Sequence, residues 1–512
     1  MKRLFLVLGV LILACGAGIL LPGGSSAINA KEPPPAQQQI PNPPNPPQPQ
    51  AAPPPANQVQ APNQRAVEPP KIAEPVAFTT KDGKMKGWKV VIPGHRALAT
   101  PAVADGKVYI GGGFGSHEFY AFDALTGKKI WHYQTKDDGP TAAVVQDGYI
   151  AFNTESCELE ILALDGKPVW KKYLGDPLMS MPAIANGKVY MAYPNSKGDH
   201  KYYLACFDIK TGKEEWKKDI AGEIITAPVI DKDQVFLVTV EGTLYCFNTD
   251  GDLAWKEKKN ATSSPMVWNG NCYFSRREEI TVKKEGKDVK QQTEQVAARG
   301  NNAKDTTRDF KETTRDADYL DYRKRALSGK EVANQAADAG VGFGGGASVA
   351  KGAFLPRVAA ENIAQASVAG IWAYQGSRPF MHNGQLFSAM GDTLQCVDPK
   401  TEKVLWKKNL HSKKETDKVP VLDSALTPPA IVNDKIFLGT TAGEVLCLSV
   451  KTGEMLWKAE VGEPIDFQPA IVNGRVFVST SKGSLISLET GDTQDPGGNM
   501  WGGNAAHNGN VK

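Results

Sequence analysis

The chain has 512 residues, of which 41% are hydrophobic and 22% are charged, so it carries enough apolar material for a large folded core. Its net charge of +3 and isoelectric point near 8.2 are almost neutral, and its lysines are spread along the sequence. The clusters of basic and aromatic residues that are typical of nucleic-acid-binding proteins are missing, so we expect no nucleic-acid partner.

Residues 1–30 have the layout of an export signal. A basic start precedes an apolar run from Leu4 to Leu21, and small residues follow that run. Three alternatives remain open: cleavage after Ala27, lipidation of Cys15 at the end of a lipobox, and an uncleaved anchor, since about 18 apolar residues nearly span a bilayer. All three predict an exported protein that is periplasmic or anchored to a membrane of the cell envelope.

Residues 31–77 are predicted to form a disordered linker. Between Lys31 and Pro75, 16 of 45 residues are proline and most others are Gln, Asn or Ala, a composition that builds no core. A polyproline-type chain of this length is extended and reaches up to about 140 Å. The segment is either a spacer between a membrane tether and the folded part or a plain disordered tail.

Residues 78–512 are organised around a unit that returns at a period of about 40 residues, which is typical of propellers and repeat arrays. One copy is AFDALTGKKIW, from Ala121 to Trp131, with a Thr-Gly turn before the tryptophan. Upstream lie apolar runs with Asn-Gly or Asp-Gly turns, such as PAIANGKVYM from Pro182 to Met191, and these predict hairpins. Three turns joining four short antiparallel strands make one propeller blade.

The tryptophan of each unit is predicted to lie on the outer strand and to pack against the next blade, burying about 200 Å². The tryptophans that we assign to this docking role are Trp88, Trp131, Trp170, Trp216, Trp255, Trp372, Trp406 and Trp457. The last repeat, Pro469 to Thr490, lacks such a residue, whereas Trp88 has no three strands before it. Joining the two chain ends completes one blade, so the sequence predicts an all-β propeller with eight four-stranded blades.

These units resemble the tryptophan-docking repeat of the PQQ-like (quinoprotein-type) β-propellers, from about Gly87 to Thr490. Within that group the chain is similar to the BamB family of outer-membrane barrel-assembly lipoproteins. The resemblance implies the fold strongly and the function weakly, because one propeller scaffold supports many activities.

Residues 279–366 are predicted to be an insertion within blade 5, because this stretch contains neither tryptophan nor a Thr-Gly docking motif. Ile280–Val296 alternates like a long polar hairpin, and Thr314–Ala339 has a helical composition. The glycine-rich stretch Gly340–Gly352 is expected to be a mobile linker; a phosphate-binding loop would need a preceding strand.

Four of the six cysteines after Cys15 occupy the small-residue position before the repeat aspartate, where buried free thiols are expected. Disulfides between Cys206 and Cys246 or between Cys396 and Cys447 are the alternative. Lysines that follow the docking tryptophans are expected to protect edge strands from pairing, and a basic rim is the alternative.

Quinoprotein alcohol dehydrogenases of this fold use, as the resemblance implies, a vicinal cysteine pair, a calcium ion and an aspartate base. This sequence has no adjacent cysteines, and turn capping explains repeat aspartates such as Asp123 and Asp208. The seven histidines show no zinc-site spacing. We therefore predict no catalytic residue, no metal site and no cofactor, with PQQ and calcium as the alternative. The tail from Met500 to Gly509 resembles terminal segments of PQQ-like repeat proteins and is expected to pack on the propeller, with a binding role for His507 as the alternative.

The sequence thus predicts a monomeric, non-catalytic scaffold that binds envelope proteins through loops on one face of the propeller. A quinone-dependent dehydrogenase is the second hypothesis. A ligand-sensing or carbohydrate-binding propeller is the third, although no particular residue favours it.

Overall fold

The computed structural model describes residues 71–80, 83–113, 115–154, 157–175, 180–194, 201–222, 224, 227–239, 241–316, 379–410, 426–495 and 497–509. They belong to a unit that extends from Pro69 to Lys512. The regular structure of these residues consists of strands, and none of the described residues forms a helix that could cross a membrane. The predicted export signal, with Cys15, lies outside the described residues.

The strands form eight antiparallel sheets, each a meander from a short inner strand to an outer strand. Blades 1 to 4 consist of β3 (Ala102–Ala104), β4 (Lys107–Gly111), β5 (Glu118–Asp123) and β6 (Lys129–Gln134); β7 (Val144–Gln146), β8 (Tyr149–Asn153), β9 (Glu158–Ala163) and β10 (Pro168–Tyr173); β11 (Ala183–Ala185), β12 (Lys188–Pro194), β13 (Tyr202–Asp208) and β14 (Glu214–Ile220); and β15 (Val229–Asp231), β16 (Gln234–Val238), β17 (Thr243–Asn248) and β18 (Leu253–Lys258).

Blades 5 to 7 follow the same pattern. They consist of β19 (Met266–Trp268), β20 (Asn271–Lys284), β21 (Lys287–Gly300) and β22 (Thr307–Asp316); β23 (Pro379–His382), β24 (Gln385–Met390), β25 (Thr393–Val397) and β26 (Val404–Asn409); and β27 (Ala430–Val432), β28 (Lys435–Gly439), β29 (Glu444–Ser449) and β30 (Met455–Glu460). With blade 8, described next, the prediction of an eight-bladed propeller is confirmed.

Blade 8 joins the two ends of the propeller. It contains β31 (Ala470–Val472), β32 (Arg475–Ser479) and β33 (Ser484–Glu489), followed by β2 (Lys86–Val91) and β1 (Val76–Thr79). Trp88 lies opposite Ser487, and its ring centroid is 6.1 Å from that of Phe477. The predicted closure is confirmed, but β1 is a fifth strand that begins within the expected linker, so the boundary at 77/78 is corrected.

The hairpin turns form where the sequence predicts them. Asn186 and Gly187 join β11 to β12 with φ angles of 53° and 72°, and the flanking residues Ala185 and Lys188 pair directly. Asn and Gly tolerate this left-handed region at low cost, which is why the dipeptide recurs at this position.

Blade 5 corrects the predicted insertion. Its two middle strands pair from Asn271–Gly300 to Lys284–Lys287, and β22 completes the sheet before residue 317. The residues from 279 to 316 therefore belong to the blade, and Trp372 is not needed to close it. Of the expected helix, residues 314–316 are in a strand, and the rest lies outside the described residues, as do Trp372 and Gly340–Gly352.

The core lies between neighbouring blades. Phe119 of blade 1 and Phe152 of blade 2, for example, stack with ring centroids 4.2 Å apart. The six described cysteines are buried and free, so neither of the two alternative disulfides forms. Burial raises the pKa of the Cys206 thiol to about 12, which keeps it protonated and unreactive.

Candidate functional site at the propeller axis

Residues 498–509, which we call the axial segment, lie along the innermost strands of the ring. Four blades each donate an inner-strand amide hydrogen to carbonyl oxygens of this segment. The pairs are Ile471 to Gly498 at 2.9 Å, Val103 to Asn499 at 2.7 Å, Ile184 to Ala505 at 2.8 Å and Ile230 to Ala506 at 2.9 Å. The inner strands are sheet edges, so the chain's own tail supplies acceptors that an unpaired edge would otherwise take from water.

Trp501 fixes the axial segment by packing into an apolar cluster. Its side chain is only 1% exposed. The other members come from the connections that lead into blades 1, 2, 3, 4 and 8, and we call the group the axial cluster: Ala99, Ala142, Met181, Ala227 and Phe467. A single indole thus packs with the connections of five blades, which confirms that the tail packs against the propeller.

His507 holds the tail in a second way. Its ring lies edge-on to Trp501 with centroids 4.6 Å apart. Nδ1 is 2.8 Å from the Trp501 carbonyl oxygen, and Nε2 is 3.0 Å from that of Pro182. Because carbonyl oxygens only accept, a neutral imidazole can donate to one of these two and not to both. The ring is 1% exposed and thus serves the packing of the tail.

The described residues do not fit the quinone and calcium set that the resemblance implies. Among the described parts of the chain, no three His, Cys, Asp or Glu side chains lie together as a candidate metal site. The six described cysteines belong to six different blades, so they form no vicinal pair. A calcium ion needs several oxygen ligands around one position, and the described Asp and Glu side chains form no such group.

The repeat aspartates cap turns. The Asp123 carboxylate accepts hydrogen bonds from the Thr126 hydroxyl and amide, both at 2.7 Å. The hydroxyl is the main cause that lowers the pKa of Asp123 below its usual range. Asp208 is held in the same way by Thr211, with its pKa also lowered. Both carboxylates are thus committed to their own turns.

The structure places the docking tryptophans at the contacts between successive blades, which we call seams. The indole Nε1 donates to a carbonyl oxygen of the next blade. The pairs are Trp88 to Ala124 at 3.2 Å, Trp131 to Leu164 at 3.1 Å, Trp170 to Ile209 at 2.7 Å, Trp216 to Thr249 at 2.8 Å, Trp255 to Asn301 at 2.7 Å and Trp406 to Val450 at 3.1 Å. Trp457 packs on Phe437 of its own blade, with centroids 6.0 Å apart.

The extended hairpin of blade 5 is the element that sequence reasoning misplaced. We call residues 276–295 the ribbon. It continues past the blade, and the six pairs from Glu279–Gln292 to Lys284–Lys287 extend it by about 20 Å at roughly 3.3 Å per residue. Its tip is exposed, including Val289 at 37%. Since connections alternate between the two ends of a meander, the ribbon lies on the same face as the connections between blades, which we call the connection face.

Several lysines that follow the docking tryptophans make contacts within the ring. Lys89 forms an ion pair with Glu463 at 2.6 Å, and Lys171 forms one with Glu158 at 3.0 Å. Lys217 lies over the Tyr203 ring, 4.9 Å from its centroid. These side chains stabilise the outer strands on which they lie.

Curated relatives fall into two groups. The outer membrane protein assembly factor BamB of Nitrosomonas eutropha is 24% identical over 35% of this chain and 47% of its own length. Quinohemoprotein alcohol dehydrogenase ADH-IIG of Pseudomonas putida is 26% identical over 31% of this chain and 24% of its own length. The chain therefore spans less than half the length of either relative.

Among solved structures, the quinohemoprotein alcohol dehydrogenase of Comamonas testosteroni has a TM-score of 0.50 at 14% identity, and the match covers 79% of this chain and 76% of that one. This similarity concerns the fold alone. The family described as outer membrane protein assembly factor BamB matches residues 73–159, 158–325 and 390–495, together more than half of the sequence. With its docked tryptophans and its ring closed by both chain ends, the chain belongs to this family.

Proposed function

We propose that the chain is a non-catalytic scaffold of the cell envelope that binds other envelope proteins and takes part in outer-membrane protein assembly. The observation that carries the proposal is the axial segment. In a propeller, the blades surround a central channel, and the strands nearest to it can line a ligand site there. Here four of those strands bond to the chain's own tail, and Trp501 occupies the space between their connections.

A scaffold that binds other proteins needs a surface for them, and we assign this role to the connection face. It carries the ribbon, which extends beyond the part of the sheet that β22 covers. Among the described strands, β22 pairs with β21 only as far along the ribbon as Thr293. We infer that the partner binds on this face, through the ribbon and the connections around it.

The proposal includes export, which the N-terminal sequence supports with its basic start, its apolar run and its small residues before Ala27. Cys15 is the proposed lipid attachment point, and the proline-rich linker would then separate the ring from the membrane. Radiolabelled palmitate incorporated into the wild type and not into Cys15→Ser supports a tether. Equal labelling of both, or labelling of neither, contradicts it.

The central experiment compares a strain that lacks the protein with strains that express variants of it. Loss of the protein should lower the amount of β-barrel proteins in the outer membrane, and the full chain should restore it. An unchanged outer-membrane profile in the deletion strain contradicts the proposed function.

A trimmed ribbon tests which element binds. Removing residues 279–284 and 287–292 joins Glu278 and Thr293 through the native turn Glu285-Gly286. Glu278 and Thr293 form the same type of cross-strand pair as Lys284 and Lys287, because the two pairs are six residues apart. We expect this variant to fold with an unchanged melting temperature and to fail to restore outer-membrane assembly. If it restores assembly fully, the ribbon is not the element that binds the partner.

A dehydrogenase remains the competing function because one group of relatives consists of quinohemoprotein enzymes. Purified protein incubated with PQQ and calcium should show no dye-linked alcohol oxidation. Turnover that depends on the quinone would overturn the scaffold proposal.

A further inference from the structure

One seam of the ring differs from the others. Outer-strand tryptophans lie opposite a small residue of the preceding strand, as Trp131 does opposite Ala121 and Trp216 opposite Cys206. In blade 5, the residue opposite Ala298 is Arg308. The pairing register therefore places an arginine at the docking position between blades 5 and 6.

Arg308 makes the contact that the indoles make elsewhere. Its Nη2 donates to the carbonyl oxygen of Pro399 at 2.9 Å. Pro399 follows the turn residue Asp398 just as Ile209, the acceptor for Trp170, follows Asp208. The guanidinium also lies 5.1 Å from the Phe310 ring centroid.

The turn that receives Arg308 has changed as well. At five seams a glycine with positive φ lies under the docked indole, and a Cβ there would approach the ring to between 2.6 and 2.8 Å. These glycines are Gly127, Gly166, Gly212, Gly251 and Gly453.

In blade 6 the equivalent residue is Glu402, which adopts a φ of 63° in spite of its side chain. Its carboxylate lies 3.8 Å from Arg308 Nη1. An indole and a glutamate could not share this space, so the two exchanges compensate each other.

The outer half of this seam depends on charged groups. The side chains of Arg308 and Glu402 are 43% and 41% exposed, whereas the docked tryptophans are buried, as Trp88 is, or partly buried, as Trp216 is. Glu312 Oε2 accepts a hydrogen bond from the exposed Val404 amide at 2.9 Å. Exposed ion pairs are weak and are screened by salt, whereas a buried indole is affected by salt much less.

The inner half of the same seam is apolar. Tyr273, Val296 and Phe310 of blade 5 share one buried cluster with Leu386 and Phe387 of blade 6. Phe310 lies on the outer strand β22, so this strand stays packed around Phe310, and the contacts open to screening by salt are those of Arg308, Glu402 and Glu312.

We propose that high salt loosens the outer part of the seam between blades 5 and 6, because Arg308 and Glu402 hold it where other seams have an indole and a glycine. Arg308 and Glu402 attract each other across this seam, and salt screens the attraction. Among the described seams, this is the one where an arginine and a glutamate take the places of the indole and the glycine. This inference depends on the fold and not on the proposed function.

Hydrogen exchange of the full chain at 0.05 and 1 M NaCl tests the proposal. High salt should speed exchange in β22 and β26 by about two- to fivefold, the range expected for loss of an exposed ion pair. Exchange in β6 and β10, at the seam docked by Trp131, should not change. No salt effect at β22 and β26, or an equal effect at both seams, overturns the proposal.

Two double variants separate the effect of this ion pair from general loosening. Arg308→Trp with Glu402→Gly restores the usual docking pair, and exchange in β22 and β26 should become slow and independent of salt. Arg308→Gln with Glu402→Gln removes both charges and keeps polar side chains, so exchange should be fast at both salt concentrations. A salt response retained in either variant contradicts the proposal.

Discussion

Replacing Trp501 with alanine should release the axial segment and destabilise the ring. The indole is 1% exposed, and burial of about 200 Å² at roughly 25 cal/mol per Å² gives an upper limit of about 5 kcal/mol. Truncation of a buried tryptophan costs about 3–5 kcal/mol in other cores. We therefore expect a loss of about 3–5 kcal/mol in the free energy of unfolding.

Urea unfolding followed by far-UV circular dichroism measures this loss. Hydrogen exchange adds the local result, because Ile471, Val103, Ile184 and Ile230 donate their amides to the axial segment. Those four amides should exchange faster once Trp501 no longer anchors the segment. An unchanged unfolding midpoint, or unchanged protection of these amides, would refute the role of the axial cluster.

Trp268→Ala provides the matched control. This tryptophan lies in β19 and is partly exposed, outside the axial cluster. Its truncation removes the same number of atoms and should cost less, with no change in exchange at the four tail-bonded amides. An equal loss in both variants would mean that tryptophan content, and not the axial position, determines stability.

Three further outcomes follow from the contacts. Burial acts to raise the pKa of Glu463, but hydrogen-bond donors that include Lys89 lower it more, so the net pKa lies below the ordinary 4.5. The ionised group therefore stabilises the fold above pH 4.5, and this stabilisation disappears as the pH falls through the lowered pKa. Glu463→Gln should lack this pH-dependent loss of stability in acid unfolding, and a pH profile identical to that of the wild type would contradict it. Gly212→Ala should lower the free energy of unfolding by about 2–4 kcal/mol, since the new Cβ would lie 2.8 Å from the Trp170 indole. The control Gly187→Ala places its Cβ where nothing lies within 4 Å and should lower it by about 1 kcal/mol. Equal melting temperatures of the two variants would count against indole docking. Cys206 should not react with a thiol reagent until the protein unfolds, because its pKa is raised to about 12, and rapid labelling of the native protein would show that it is accessible.

The sequence is informative about most blades because one physical requirement repeats in each. A short turn needs Asn-Gly, and a crowded strand needs a small residue opposite the indole, so both recur at a fixed spacing. The closure through Trp88 and the count of eight are confirmed, although the count assigned Trp372 to blade 5, where β22 completes the sheet.

Blade 5 escaped the same reasoning because its seams use other chemistry. Arg299 stacks on Trp255 at 3.6 Å and pairs with Glu257 at 2.8 Å, and the turn after it lacks Thr-Gly. The small-residue signal was nevertheless present: Ala298, in the run QVAAR, takes the position of the cysteine in YLACF. A search for that position, without requiring tryptophan, would have identified β21.

The axial site was only partly accessible from sequence. The tail motif indicates packing, but the partners of Trp501 are single residues from five distant connections. Ala99 and Ala142 precede the first strands of two blades, β3 and β7, and nothing in the sequence around them indicates that they share a neighbour. Their convergence results from ring closure, which local patterns do not encode.

The join in blade 8 sets the order in which the molecule can be completed. β2 pairs with β1 on one side and with β33 on the other, so its second edge must wait for a partner until nearly the entire polypeptide has been synthesised. Contacts so distant along the chain form late and slowly. A ribosome-bound product that stops before Ser484 is consequently an open arc with two free ends, vulnerable to proteases and to mispairing with other nascent chains.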